Sequence, residues 1–336
     1  MFFTRLALLA AFSSTAAAAQ LPIIDMHLHA EAADSYGPPP MGMCTPLVEL
    51  PAWDPIGPYE SVFLRAFREP ACPDPVWSPT TDGEVMRQTI EAMDRLNVVG
   101  VLSGTPERVA EWRRARPARF LAGIDFNIQN NYSVERLQEL RASGRLDVLG
   151  EVLTQYEGIA PDDPRLETYW AFAEERDIPI GIHIGTGPPG VIYMGSPAYR
   201  ARLHSALTLE EVLVRHPRLR VYVMHAGYPM IDDMLALMYA HPQVYVDTGI
   251  IIYSQPRADF YRYLQRFVEA GFGRRVMFGS DQMVWPGVIE RSVAVIEEAP
   301  FLSADQKRDI LYHNAARFLR LTPEQIASHH ELGRAN

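Results

Sequence analysis

The 336-residue chain has only two cysteines, Cys44 and Cys72. That is too few for a disulfide framework or a multi-cysteine zinc module. Outside its N-terminus no apolar run is long enough to span a bilayer, so stable membrane insertion is not expected. Basic residues are scarce, with 31 Lys and Arg against 41 Asp and Glu and a net charge of −10. An acidic chain without a basic stripe argues against nucleic acid as a partner. A small anionic substrate stays open, because a local pocket of arginines can oppose the global field. There is no internal repeat, and no glycine-rich phosphate loop follows the first strand-like run. His27-Leu28-His29 stands there instead, which weighs against an open doubly wound nucleotide-binding sheet.

Apolar residues make up 48% of the chain, enough for a sizeable core in one large barrel or two smaller domains. Residues 1–19 read as a secretory signal. Arg5 supplies the n-region, residues 6–12 the apolar stretch, and Ala17, Ala18 and Ala19 an A-x-A site, with cleavage before Gln20. The expectation is an exported protein, periplasmic or secreted. There the two cysteines, 28 residues apart, are expected to pair. Closing that loop stabilises by about 3–4 kcal/mol on the chain-entropy model.

Residues 30–80 hold eleven prolines, so this stretch reads as a long loop after the first strand. Trp53, Tyr59, Phe63, Phe67 and Trp77 give it packing material, so it is expected to be an ordered lid, with Trp53, Tyr59 and Trp77 walling the pocket. From residue 82 helix-like and strand-like runs alternate. Strand-like runs at 22–28, 98–103, 119–126, 146–152, 179–184, 219–225, 243–248 and 275–280 are short, apolar and rich in β-branched residues. Such strands are buried on both faces between helices, and eight of them in strict alternation predict a (β/α)₈ TIM barrel over residues 20–322. Residues 303–320 are expected to cover the barrel exterior, and residues 323–336 to form a polar tail.

Side chains two apart on a strand share a face. In the first strand this puts Asp25, His27 and His29 toward the lumen and Ile24, Met26 and Leu28 toward the helices. Glu151, His183, His225 and Asp281 each end a different apolar strand, at the barrel mouth where this fold builds its sites. One His-x-His alone is more often structural. Four histidines and two carboxylates converging on one mouth need a cation, because buried ionisable groups are costly unless paired. Nitrogen and oxygen donors suit Zn²⁺ first, then Mn²⁺ or Fe²⁺. His204, His216, His241, His313, His329 and His330 fall in helices, helix ends or the tail and read as structural.

Phe278-Gly279-Ser280-Asp281, Val223-Met224-His225-Ala226-Gly227 and Asn314-Ala315-Ala316-Arg317, together with the His-x-His, resemble the amidohydrolase superfamily and its amidohydrolase-related branch, family 2. The resemblance covers residues 22–320. It implies a divalent metal held by His27, His29, His183 and Asp281. It makes His225 a supporting histidine or a ligand of a second ion. Glu151 falls where members with two metals carry a bridging ligand, so one metal or two are expected; the alternative for Glu151 is to orient a ligand histidine.

The expected chemistry is hydrolysis of an ester, lactone or amide of a small molecule. Asp281 would act as proton acceptor and His225 as support for the developing oxyanion or the water. Tyr156, Arg200 and Arg202 are the candidate substrate contacts. The alternatives are a non-oxidative decarboxylase on the same site, a glycoside hydrolase using Glu151 and Asp281, and a binding protein with a structural metal. Homo-oligomerisation is left open.

Overall fold

A computed structural model describes residues 20–130 and 132–334; the expected signal segment, residues 1–19, lies outside them. Eight parallel strands run around one axis: β1 (Ile23–His29), β2 (Val98–Ser103), β3 (Phe120–Ala122), β4 (Leu149–Val152), β5 (Ile180–His183), β6 (Val221–Met224), β7 (Val244–Asp247) and β8 (Val276–Met277). They pair as two arcs, β1-β2-β3 and β4-β5-β6-β7-β8. One gap is closed by Ile124 and Phe126, which bridge to Gly150 and Val152. The other is closed by Met26 N donating to Phe278 O and Asp281 N to His27 O. Helices follow the strands, as the alternation predicts. The helix Asp82–Leu96 shows the local logic: Thr81 Oγ1 accepts from Glu84 N at its start, and Asn97 ends it in the left-handed conformation.

Alternate residues sort into two apolar clusters. Val98, Leu102, Val221, Val223, Val244 and Val246 pack with the helices. Ile24, Met26, Val99, Val101, Val148, Tyr222, Met224 and Met277 form a second cluster. These residues come from strands on opposite sides of the ring, so the second cluster fills the lumen. This corrects the facing expected for β1, where Ile24 and Met26 point inward. The cause is an irregularity between Asp25 and Leu28, where β1 advances three residues for two of β2. Such an extra residue flips the alternation, so His27 and His29 still reach the lumen beyond it.

The C-terminal segment also differs from expectation. Tyr312, Ala315, Ala316 and Phe318 enter the lumen cluster instead of covering the exterior. The stretch expected to be a polar tail contains the helix Pro323–Leu332, started by a Thr322–Gln325 capping box. Its Ile326 and Leu332 pack on the same cluster, closing the end of the barrel opposite the mouth.

Residues 30–80 are partly regular. Gly42–Met43 pairs antiparallel with Val76–Trp77, and Tyr59–Arg68 is helical. Cys44 and Cys72 form the expected disulfide, with Cα atoms 5.8 Å apart.

Candidate metal centre

β1, β4, β5, β6 and β8 deliver their polar ends to one point at the barrel mouth. The backbone is unusual there. Five of the eight non-glycine residues with positive φ among the described residues are His225, Ala226, Ile250, Asp281 and Met283. Such conformations persist where surrounding structure enforces them, and they cluster at functional sites. Gly249 has no alternative residue on steric grounds: a Cβ there would lie 2.4 Å from His27 Nδ1.

The donors fall into two sets that share Glu151, linked by a third grouping of His27, His225 and Asp281. Around Oε2 stand His27 Nε2 at 3.6 Å and His29 Nε2 at 3.4 Å. Asp281 Oδ1 lies 3.7 Å from His27 Nε2 and 3.2 Å from His29 Nε2, and the two imidazole nitrogens are 3.1 Å apart. Around Oε1 stand His183 Nδ1 at 2.7 Å and His225 Nε2 at 3.3 Å, themselves 2.8 Å apart. All six predicted residues therefore meet. His183, expected beside His27, His29 and Asp281, groups instead with Glu151 and His225.

The hydrogen bonds behind the rings fix their protons. His27 Nδ1 donates to Asp247 Oδ2 at 3.1 Å, and His225 Nδ1 donates to Gly249 O at 3.0 Å. Each bond leaves the Nε2 lone pair facing the centre. The Nε2 atoms of His27 and His29 converge with Glu151 and Asp281, where a proton or a cation must sit; His29 Nδ1 has no partner to fix its tautomer, and Asp281 Oδ1 is buried without a hydrogen-bond partner. A tetrahedral ion with bonds of 2.0–2.2 Å needs donors about 3.3–3.6 Å apart. The separations among His27, His29 and Asp281, and from the two histidines to Glu151, run from 3.1 to 3.7 Å and bracket that range, while Glu151 and Asp281 do not fall in one group. The donor chemistry and spacing suit a divalent metal. Electrostatics agree. Burial opposes charging His27, yet Asp281, Asp247 and Glu151 hold its pKa well above the ordinary value. His29 is raised to about 10 by Asp281, Glu151 and Glu31 against the same burial. The pocket demands positive charge.

Three nearby carboxylates were not singled out in the sequence. Asp247 ends β7 as Asp281 follows β8, so the strand-end rule applied to every strand would have found it. Its Oδ1 also accepts from His225 N and Gly249 N. Glu31 and Asp125 flank the outer edge of His29, their oxygens 4.0 and 3.9 Å from its Nδ1. Burial, against the pull of His29, raises Glu31 to about 7 and Asp125 to about 6. Asp125 is the last polar residue of the strand-like run 119–126, so the same rule would have found it, whereas Glu31 falls in the proline-rich stretch and no simple signal marks it.

A cavity of about 560 Å³ is lined by none of the six donors, but Thr186, Ile250 and Met283, chain neighbours of the centre, form part of its wall. Tyr36, Met43, Leu47, Leu50, Phe63 and Phe67 of the proline-rich segment line it, with Pro188, Ile250, Met283 and Trp285. Trp53, Tyr59 and Trp77, expected to wall it, do not. Trp53 and Tyr59 pack on Tyr193, and Trp77 is exposed. Of the expected substrate contacts, Tyr156 packs over the His183 ring at 4.8 Å. Arg200 lines the cavity, while exposed Arg202 does not. His204, read as structural, lines the cavity and meets Tyr199 Oη at 2.5 Å.

The amidohydrolase family model matches residues 24–321. The chain belongs to the amidohydrolase family. Solved structures with the same fold include an uncharacterized TIM-barrel protein from Bordetella bronchiseptica (TM-score 0.59, 19% identity, 91% of this chain and 100% of the other). A probable 2-pyrone-4,6-dicarboxylic acid hydrolase from Acinetobacter baumannii, with citric acid bound, aligns at TM-score 0.57 and 15% identity over 90% of this chain and 100% of the other. A 5-carboxyvanillate decarboxylase from Sphingomonas paucimobilis aligns at TM-score 0.52 and 19% identity over 69% of this chain and 82% of the other. Comparison with curated proteins gave no match. Family membership makes this chain an enzyme of the amidohydrolase type. Among the described residues, no helix is long and apolar enough to cross a membrane.

Proposed function

We propose that this chain is a metal-dependent hydrolase that cleaves an ester, lactone or amide bond of a small molecule. One observation carries the reading: two donor sets share the Glu151 carboxylate, and Asp281 Oδ1 stands at the rim of one of them without a hydrogen-bond partner. His27, His29, Asp281 and Glu151 would hold one divalent ion, with Zn²⁺ first among the candidates. Glu151, His183 and His225 would hold a second. Such an ion supplies Lewis acidity, lowering the pKa of water and polarising a carbonyl.

The chain's own groups do the remainder. Asp281 takes the proton of the attacking water at its carboxylate and passes it to the leaving group. His225 is held with Nδ1 on Gly249 O, so only Nε2 faces the reacting atoms. Tyr156, its ring tilted against His183 at 4.8 Å, supplies a hydroxyl near the centre. The proline-rich segment serves as a lid: its apolar side chains line the cavity and keep bulk water away from the reacting carbonyl. The reading includes export, which the Cys44–Cys72 disulfide supports, since such bonds persist in oxidising compartments.

Non-oxidative decarboxylation uses the same donors, and an arginine beside them would read the substrate carboxylate. The one arginine lining the cavity, Arg200, is exposed and spends Nη1 on Pro197 O and Tyr199 O. A screen of esters, lactones and amides on metal-loaded protein, with released CO₂ measured in parallel on aromatic carboxylates, tests the choice. Turnover of a carboxylate with CO₂ release, and of no ester, lactone or amide, would overturn it.

A further inference from the structure

The hydrolytic reading leaves the substrate open, and the surroundings of the centre restrict it. The restriction comes from two adjoining features. The first is the cavity, whose lining is overwhelmingly apolar and offers a single arginine. The second is the edge of His29 turned away from the metal donors. There His29 Nδ1, on a side chain only 5% exposed, has no hydrogen-bond partner. Glu31 and Asp125 approach it to 4.0 and 3.9 Å, too far for a hydrogen bond. Glu31 Oε2 and Asp125 Oδ1 are buried and equally unpartnered. Tyr36 joins the two features, because its ring lines the cavity while its hydroxyl donates to Glu31 Oε1 at 3.0 Å.

Buried carboxylate oxygens without donors are costly, and a bound group that brings N–H or O–H donors removes that cost. A carboxylate brought there would offer only further acceptor oxygens to atoms that already lack donors. We propose, resting on the hydrolytic reading, that the substrate carries a large apolar group for the cavity and a hydrogen-bond-donating group, an ammonium or hydroxyl, beside the cleaved carbonyl. Glu31 and Asp125 receive that donor. A carboxylate in the same position is rejected. The similar 2-pyrone-4,6-dicarboxylic acid hydrolase and 5-carboxyvanillate decarboxylase, named for carboxylated compounds, would then share this chain's fold but not its preferred substrate group.

The test uses one scaffold with one changing substituent. Naphthyl esters of phenylalanine, phenyllactic acid, phenylpropanoic acid and benzylmalonic acid place an ammonium, hydroxyl, hydrogen or carboxylate next to the same carbonyl. The four matching hydroxamates, measured by calorimetry on metal-loaded protein, report binding without turnover. We expect the ammonium and hydroxyl members to exceed the hydrogen member by about 10–100-fold in kcat/KM and in affinity, the scale of a charge-assisted hydrogen bond. The carboxylate member should fall below it. Glu31→Gln and Asp125→Asn should bring the ammonium-to-hydrogen ratio toward one, and Glu31→Gln should weaken the ammonium member more than the hydroxyl member. A carboxylate hydroxamate that binds as tightly as the ammonium one overturns the assignment, whatever the esters do. So does an ammonium-to-hydrogen ratio that neither substitution changes. If the hydroxamate order holds and no ester is cleaved, the donor-binding subsite stands and the hydrolytic reading falls.

Discussion

Asp247→Asn isolates one hydrogen bond behind the centre. In the native chain Oδ2 accepts from His27 Nδ1, while Oδ1 accepts from His225 N and Gly249 N at 3.0 and 2.9 Å. An asparagine must choose an orientation. Two backbone N–H groups hold its oxygen on the Oδ1 side, because an amide NH₂ there would face two donors. The NH₂ then points at His27 Nδ1, which must become an acceptor. His27 shifts its proton to Nε2, where it projects among His29 Nε2, Glu151 Oε2 and Asp281 Oδ1. That proton occupies the lone pair a metal needs. Losing such an orienting partner lowers metal affinity about 10–100-fold, or about 1.4–2.7 kcal/mol. Competitive titration against a chelator of known affinity reads the change, and ¹⁵N spectra of the ring nitrogens read the tautomer. Backbone contacts are preserved, so the melting temperature without metal should move little. An Asp247→Asn variant with native metal affinity and His27 still protonated at Nδ1 would refute the reasoning.

Glu151→Gln removes the charge shared by both donor sets, so bound metal per chain should fall along with rate, as elemental analysis would read. Unchanged metal with a reduced rate would restrict Glu151 to orienting a histidine. Replacing both Cys44 and Cys72 with Ser removes up to about 3–4 kcal/mol of chain-entropy stabilisation from the segment they close. Hydrogen exchange should speed up across residues 41–78, and native protection there would show that packing alone orders it. His329, which meets Tyr312 Oη at 3.1 Å, is depressed from 6.5 to about 4 by burial, Arg119 and His330. The unfolded chain therefore binds its proton first, so this group is neutral to stability above pH 6.5 and weakens the fold as pH falls from 6.5 toward 4. His329→Gln should flatten the stability profile in that window, measured by urea unfolding at successive pH values; an unchanged slope would contradict the assignment.

The barrel was legible because buried parallel strands are short apolar runs, and each of the eight runs contains an observed strand. The six centre residues were legible for the same reason, since each lies within a few residues of the C-terminal end of a strand. What escaped depended on backbone detail or tertiary choice. The irregularity in β1 is set by pairing with β2, which no local pattern records, so Ile24 and Met26 were assigned the wrong face. Residues 323–332 carry few apolar side chains, and only the open end of the lumen makes Ile326 and Leu332 worth burying. Trp53, Tyr59 and Trp77 are the conspicuous aromatics of the proline-rich segment. The helix Tyr59–Arg68 presents Phe63 and Phe67 to the cavity in their place. Glu31 reaches His29 through the folding of the proline-rich segment, while Asp125 lies between the bridge residues Ile124 and Phe126.

The most direct test of the account is elemental analysis of protein never exposed to chelator, joined to an ester and lactone hydrolysis assay before and after metal removal. The account predicts at least one divalent transition metal per chain, loss of hydrolysis when it is stripped, and recovery when Zn²⁺ or Mn²⁺ is returned. Metal-free protein that hydrolyses these substrates at full rate would contradict it.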